Sequence, residues 1–159
     1  LLMKQANIST DDRPTTVAAK KRAQESGDES SAIQLSDGTM ITAGSSPLLG
    51  TCASLLLNSI KHLAGIDHSV KLISQDFIEP IQKTKVDYLG GNNPRLHMDE
   101  VLVALSVLSL HDANCRRALA MLPELNGLQA HSTVMLSQVD QKILKKLGIS
   151  LTCDPATKK

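Results

Sequence analysis

The chain has 159 residues, 42% of them hydrophobic and 21% charged, with a formal net charge of +1. That length supports one domain with a real core, and that balance provides no long-range field for nucleic acid, an anionic membrane or an acidic partner. One Tyr, one Phe and no Trp are too few rings for a base-stacking surface, so the core must be built from Leu, Ile, Val, Ala and Met.

No apolar run approaches the ~20 residues of a membrane span. The N-terminus also lacks the basic-then-apolar pattern of a signal peptide. Cys52, Cys115 and Cys153 are far apart, with no C-x-x-C pair. They read as reduced thiols of a cytoplasmic protein rather than as a disulfide framework or zinc knuckle. The expectation is no metal and no cofactor. The chain opens on Leu1-Leu2-Met3-Lys4, which suggests one domain of a longer protein.

Residues 1–31 are polar and charge-mixed, and read as a linker or helical lead-in from an upstream domain. A short helix is expected over 16–26, stopped by Gly27. Ala32-Ile33-Gln34-Leu35 and Thr39-Met40-Ile41-Thr42 flank Ser36-Asp37-Gly38, a strong hairpin signal. A helix is expected over 47–64. Its apolar residues cover most of its circumference, so it should be largely buried, with Gly65 ending it.

Val70–Ile73 reads as a strand, followed by a helix over 76–87 that opens on a capping-box pattern, Asp76-Phe77-Ile78-Glu79. Tyr88–His97 is a Gly/Asn/Pro loop. Helices follow over 98–110 and 113–122, then a strand over 130–136, a helix to Leu147, a strand over 149–153 and a fraying tail, 154–159. "LISQDF" and "MLSQVD" both run strand, Ser-Gln, acid, helix, which two independent N-caps explain. This order implies an α/β domain over 32–153: a three-layer α/β/α sandwich whose mixed sheet has an N-terminal β-hairpin followed by parallel strands.

Three stretches carry candidate chemistry. Gly44-Ser45-Ser46 opens the helix that begins at Pro47, and reads either as a cradle for phosphate or carboxylate or as a cap, with Ser46 at N-cap and Pro47 at N1. Within 90–99, Asn92 and Asn93 supply amides, Arg95 a guanidinium suited to a carboxylate or phosphate, and His97 near Asp99 an oriented acid or base. The plainer reading is a long loop capped by Asp99 and Glu100. In His131-Ser132-Thr133, neighbours on a strand face opposite ways. His131 and Ser132 therefore cannot form a dyad, whereas His131 and Thr133 share a face. His62, His68 and His111 read as solvated.

In this sandwich Ser45, Ser46, Ser74 and Ser137 fall at the carboxyl edge of the parallel strands, where ligands usually bind. Arg95, His97, Asp99 and His131 are expected at the opposite edge.

The blocks "GGNNPRLHMDEVLVALSVLSL", "AHSTVMLSQVDQKILKKLGISLTCDP" and "LLMKQANISTDDRPTTVAAKKRAQESGD" resemble the DUF1846 proteins, also called UPF0371, over nearly the whole chain. The resemblance implies the C-terminal third of a bacterial, cytosolic protein of about 500 residues with no settled function. Some members have been labelled ATP-dependent peptidases, yet neither G-x-x-x-x-G-K-[ST] nor G-x-S-x-G is present. The element order is also similar to the cytidine-deaminase fold, a hairpin, a helix and then βαβαβ. That family's zinc ligands are missing here: Ser46-Pro47-Leu48 and Ser74-Gln75-Asp76-Phe77 stand in their places.

Two functions are consistent with these features. One is part of an enzyme acting on a small anionic substrate, phosphorylated or not, with His97 or His131 as acid/base and Arg95 as anchor. The other is a structural or oligomerisation domain without chemistry of its own. The expected partners are the upstream domains of the same protein and further copies of it, not nucleic acid or membrane.

Overall fold

The computed structural model describes residues 13–154. Residues 1–12 and 155–159, which hold the start of the lead-in and most of the expected tail, lie outside the described residues. Helix α1, Pro14–Ser26, starts with proline in its first turn and ends where Gly27 turns left-handed at φ +78°. Both choices follow from what helix termini tolerate. Strands β1, Ser30–Gln34, and β2, Met40–Gly44, form the expected antiparallel hairpin. Asp37 Oδ1 accepts the Thr39 N–H at 2.9 Å and Gly38 takes φ +92° to close the turn.

Helix α2, Thr51–Leu63, begins at Thr51 instead of Pro47. Ser46 Oγ accepts the N–H groups of Leu48 and Leu49 at 3.2 and 3.1 Å, so it caps a separate turn. The next residues stay extended because they pair with Leu96: the Leu96 N–H donates to Leu48 O at 2.9 Å and the Gly50 N–H to Leu96 O at 3.2 Å. This tertiary pairing overrides the local preference of Pro47 for a first helical turn.

The expected strand over 70–73 does not form. Its carbonyls go to side chains. Lys61 Nζ donates to Val70 O at 2.8 Å, and Cys115 Sγ to Leu72 O at 3.2 Å. Helix α3, Gln75–Lys83, has Ser74 at its N-cap without a side-chain cap bond, and Gln75 Nε2 holds Glu79 at 2.7 Å in place of the expected capping box. It continues as a π-helical turn, Thr84–Tyr88. Helices α4, Met98–Leu108, and α5, Ala113–Leu119, follow, then a 3-10 turn, Leu122–Leu125. Strand β3, Gln129–Ser132, helix α6, Gln138–Lys146, and strand β4, Ser150–Cys153, form a right-sized βαβ unit with β3 and β4 parallel.

The sheet order is β2-β1-β3-β4, with β1 antiparallel to both its neighbours. The mixed α/β architecture is therefore as expected, but among the described residues only one strand pair of the sheet is parallel. The βαβαβ order of the deaminase comparison is absent with its strand at 70–73. Alternation along β1 assigns the faces. Ser30 Oγ donates to Ala19 O of α1, while Ser31 Oγ meets Thr51 Oγ1 of α2 at 2.9 Å. The lead-in helix α1 thus covers one face of the sheet, packed on β1, β2 and β3. Helix α2 covers the other face, with α4 and α5 packed against it. The core runs through Ile33, Leu56, Ile60, Val101, Leu105 and Leu144, all buried. No helix among the described residues is long and apolar enough to cross a membrane.

Candidate functional site

A cleft of about 210 Å³ opens beyond the carboxyl ends of β3 and β4. Gly50, His97 and Ser137 line it, and these are the N-cap residues of α2, α4 and α6. The first N–H groups of each helix have no acceptor within that helix, and they carry the positive end of its dipole. Three such ends meet here because the Leu49–Leu96 bridge draws the start of α2 to the start of α4, and because α6 begins just after β3.

Arg95 and Asn93 also line the cleft. Arg95 Nη1 contacts Glu29 Oε1 at 3.2 Å, and the Arg95 N–H donates to Asn93 Oδ1 at 3.1 Å. The loop is held from behind by Lys85, whose Nζ donates to Arg95 O at 2.6 Å and to Glu100 Oε1 at 2.9 Å. Glu100 in turn accepts the His97 N–H at 2.8 Å, and the His97 ring lies 3.5 Å from the same carboxylate. Burial pushes the Glu100 carboxyl up, but the His97 N–H bond and the Lys85 ammonium outweigh it and hold it below the usual range.

Asp140 also lines the cleft and is 7% exposed. Its Oδ1 accepts the Met98 N–H at 2.9 Å, capping α4 from α6. Burial raises its pKa, and the Met98 bond offsets this only in part. The cleft therefore combines a guanidinium, an imidazole, a carboxyl that burial biases toward its protonated form, and three helix N-termini. Such a set can hold an anion and move a proton near it.

The other sequence candidates lie elsewhere. His131 is fully buried on the α1 face. Its Nδ1 meets Thr16 Oγ1 at 3.2 Å and Thr152 Oγ1 at 2.6 Å, and its Nε2 meets Asp154 Oδ1 at 2.9 Å. Ser132 Oγ donates to Val134 O, and Thr133 Oγ1 bridges the backbone of Ser30. Gly44 ends β2, the Ser45 N–H donates to Glu29 O, and Ser46 is spent on its own turn. Asp99 borders a separate apolar groove with Phe77 and Val103, and His97 pairs with Glu100 in its place. Asn92 is exposed.

The expected division between two sheet edges is corrected by this geometry. Arg95 and His97 share a cleft with Ser137, because without a strand at 70–73 the chain does not cross to the far edge before the 90–97 loop. Sequence reasoning missed Glu29, Thr51, Cys52 and Asp140 as cleft residues. Asp140 had a legible signal: Leu136, Asp140, Leu144 and Leu147 fall on one helical stripe, which puts a carboxyl on the inward face of α6. Glu29 had none, since its contact with Arg95 joins residues 66 positions apart.

The fold and cleft define a mixed α/β domain with a polar pocket at the carboxyl edge of its parallel strands. Residues 11–159 match the model of the domain of unknown function DUF1846, C-terminal, and the chain belongs to that family. It is 50% identical over 155 residues to a UPF0371 protein of Corynebacterium aurimucosum, covering 98% of this chain and 31% of the relative. UPF0371 proteins of Streptococcus thermophilus and Streptococcus pyogenes serotype M5 are 43% and 41% identical over the same shares. The chain thus spans about a third of the length of these curated relatives. The family's description assigns no activity.

Proposed function

We propose that this chain is the C-terminal domain of a longer cytoplasmic enzyme and that it binds a small anionic, phosphorylated or carboxylate, substrate in the α2–α4–α6 cleft. The convergence of Gly50, His97 and Ser137, the N-caps of three helices, on the pocket that holds Arg95 carries this reading. Arg95 is the anchor. Its partner Glu29 is a carboxylate already seated on the guanidinium, so the incoming anion replaces it. His97 and Asp140 face the bound group as the proton-carrying pair. The upstream domains of the same protein complete the site.

An interaction domain without chemistry is the second reading. It draws on exposed Val103, Val107 and Leu110, which lie at or just beyond the outer face of α4. Calorimetric titration of the full-length protein with orthophosphate, nucleotides and small carboxylates separates the two. Saturable binding that is lost in Arg95→Ala supports the cleft. Absence of binding across the panel, or binding indifferent to Arg95, rejects it in favour of the interaction domain.

A further inference from the structure

A second pocket, of about 190 Å³, lies between α2 and the 70–78 segment, and shares no lining residue with the cleft. Its floor is apolar, built from Leu48, Leu49, Leu57, Leu72, Ile73 and Ile78. Lys61 and Lys71 line it together with Asn58 and Ser54, and no Asp or Glu does.

Lys61 is only 8% exposed. Its ammonium donates to His68 O at 3.0 Å and Val70 O at 2.8 Å, which occupies two of its three N–H groups. No carboxylate among the described residues lies within ion-pair distance of it. Burial lowers its pKa; the Asp67 carboxylate opposes this at longer range, and the like charge of Lys71 adds a smaller lowering. A buried cation without a carboxylate in direct contact is costly, and here it borders an open pocket with a second lysine beside it.

We propose that this pocket binds a small aliphatic carboxylate, its chain on the leucine and isoleucine floor and its carboxylate between Lys61 and Lys71. The chemistry excludes simpler ligands. Inorganic phosphate leaves the apolar floor wet, and a neutral alkyl chain leaves the Lys61 charge uncompensated. The volume is below the ~300–1,000 Å³ of sites for drug-sized molecules, which limits the ligand to a short chain. The two lysines differ in role. Lys61 is fixed by two backbone carbonyls, whereas exposed Lys71 closes on the ligand from the rim.

The test uses the full-length protein carrying Arg95→Ala, which removes the anchor of the other cleft, with hexanoate as probe and 1-hexanol and orthophosphate as controls. Calorimetry is expected to show saturable hexanoate binding, with both controls at least about tenfold weaker. Lys71→Ala, an exposed position that leaves the fold intact, should weaken hexanoate by about fivefold or more, as expected for loss of one charge-assisted contact. Bound hexanoate should also protect Lys71 from amine acylation, read at the peptide level by mass spectrometry, which locates the ligand in this pocket. Lys61→Met serves as a second variant once its circular dichroism matches that of the parent chain. Several results would overturn the proposal: no saturable binding of hexanoate, hexanol or phosphate binding as tightly, hexanoate affinity unchanged by Lys71→Ala, or Lys71 labelling unchanged by bound hexanoate.

Discussion

Replacing His131 by leucine should destabilise the chain by about 3 kcal/mol without touching the cleft. The ring is fully buried and connects three elements: Thr16 on α1, Thr152 on β4 and Asp154 just beyond it. Leucine fills much of the volume but cannot hydrogen-bond. Each hydrogen bond contributes about 0.5–1.5 kcal/mol net, and a buried hydroxyl left unsatisfied costs about 1–3 kcal/mol. The Thr16 and Thr152 hydroxyls can recover some bonding by rotating, which keeps the sum near ~3 kcal/mol. At ~2–4 °C per kcal/mol for a chain of this size, the midpoint should fall by roughly 6–12 °C. Urea denaturation followed by far-ultraviolet circular dichroism measures it, with an unchanged m-value showing that the native state stays compact. A loss under about 1 kcal/mol would refute the claim that this network fastens α1 to the sheet. A loss of ligand binding with stability intact would return His131 to a catalytic role.

Arg95→Ala should behave in the opposite way. Both partners of its ion pair with Glu29 are about a third exposed, and such pairs contribute only ~0–1 kcal/mol, so the melting temperature should move by less than ~3 °C while anion binding is lost. Asp140→Asn keeps an acceptor for the Met98 N–H and removes a charge that burial disfavours. Because the folded-state pKa of Asp140 is raised, its stabilising contribution is present at low pH and lost as pH rises through the folded value. The variant should therefore be less sensitive to pH above ~4 and more stable at pH 7, as urea midpoints across pH 4–7 would show. Glu100→Gln has the reverse sign. The depressed pKa of Glu100 stabilises the fold above the ordinary carboxylate range and is lost as pH falls, so the variant should be weaker at pH 7 and show a shallower acid limb. Finally, Cys52 and Cys115 are buried, and burial raises both thiols, Cys115 to about 11. Ellman's reagent should label half-buried Cys153 first, and reach the other two only on unfolding.

Much of this fold was legible where local chemistry decides. Pro14 and Gly27 bound α1, Asp37-Gly38 turns the hairpin, and Ser137 caps α6 by accepting the Asp140 N–H at 3.2 Å. The apolar coverage of α2 announced its burial. Val70–Ile73 misled for a physical reason. Its β-branched and leucine residues suit a strand, but its carbonyls are met by Lys61 and Cys115, whose approach is set by the packing of α2 and α5. Ser46 misled in a related way: its hydroxyl does cap, but a turn that Leu96 pairing holds apart from the helix.

By itself the sequence determined most of the element types, the hairpin turn, the mixed α/β class and the polar character of the 90–97 loop. Those follow from propensity, periodicity and capping, which act over a few residues. Only the tertiary structure decided which candidates meet. His131 and Arg95 both looked like site residues, yet strand register turns one toward α1, while the Leu49–Leu96 bridge turns the other toward Ser137 and Asp140. The same long-range packing leaves Lys61 with no carboxylate at ion-pair distance among the described residues, because a buried charge is defined by what surrounds it and not by its neighbours in the chain.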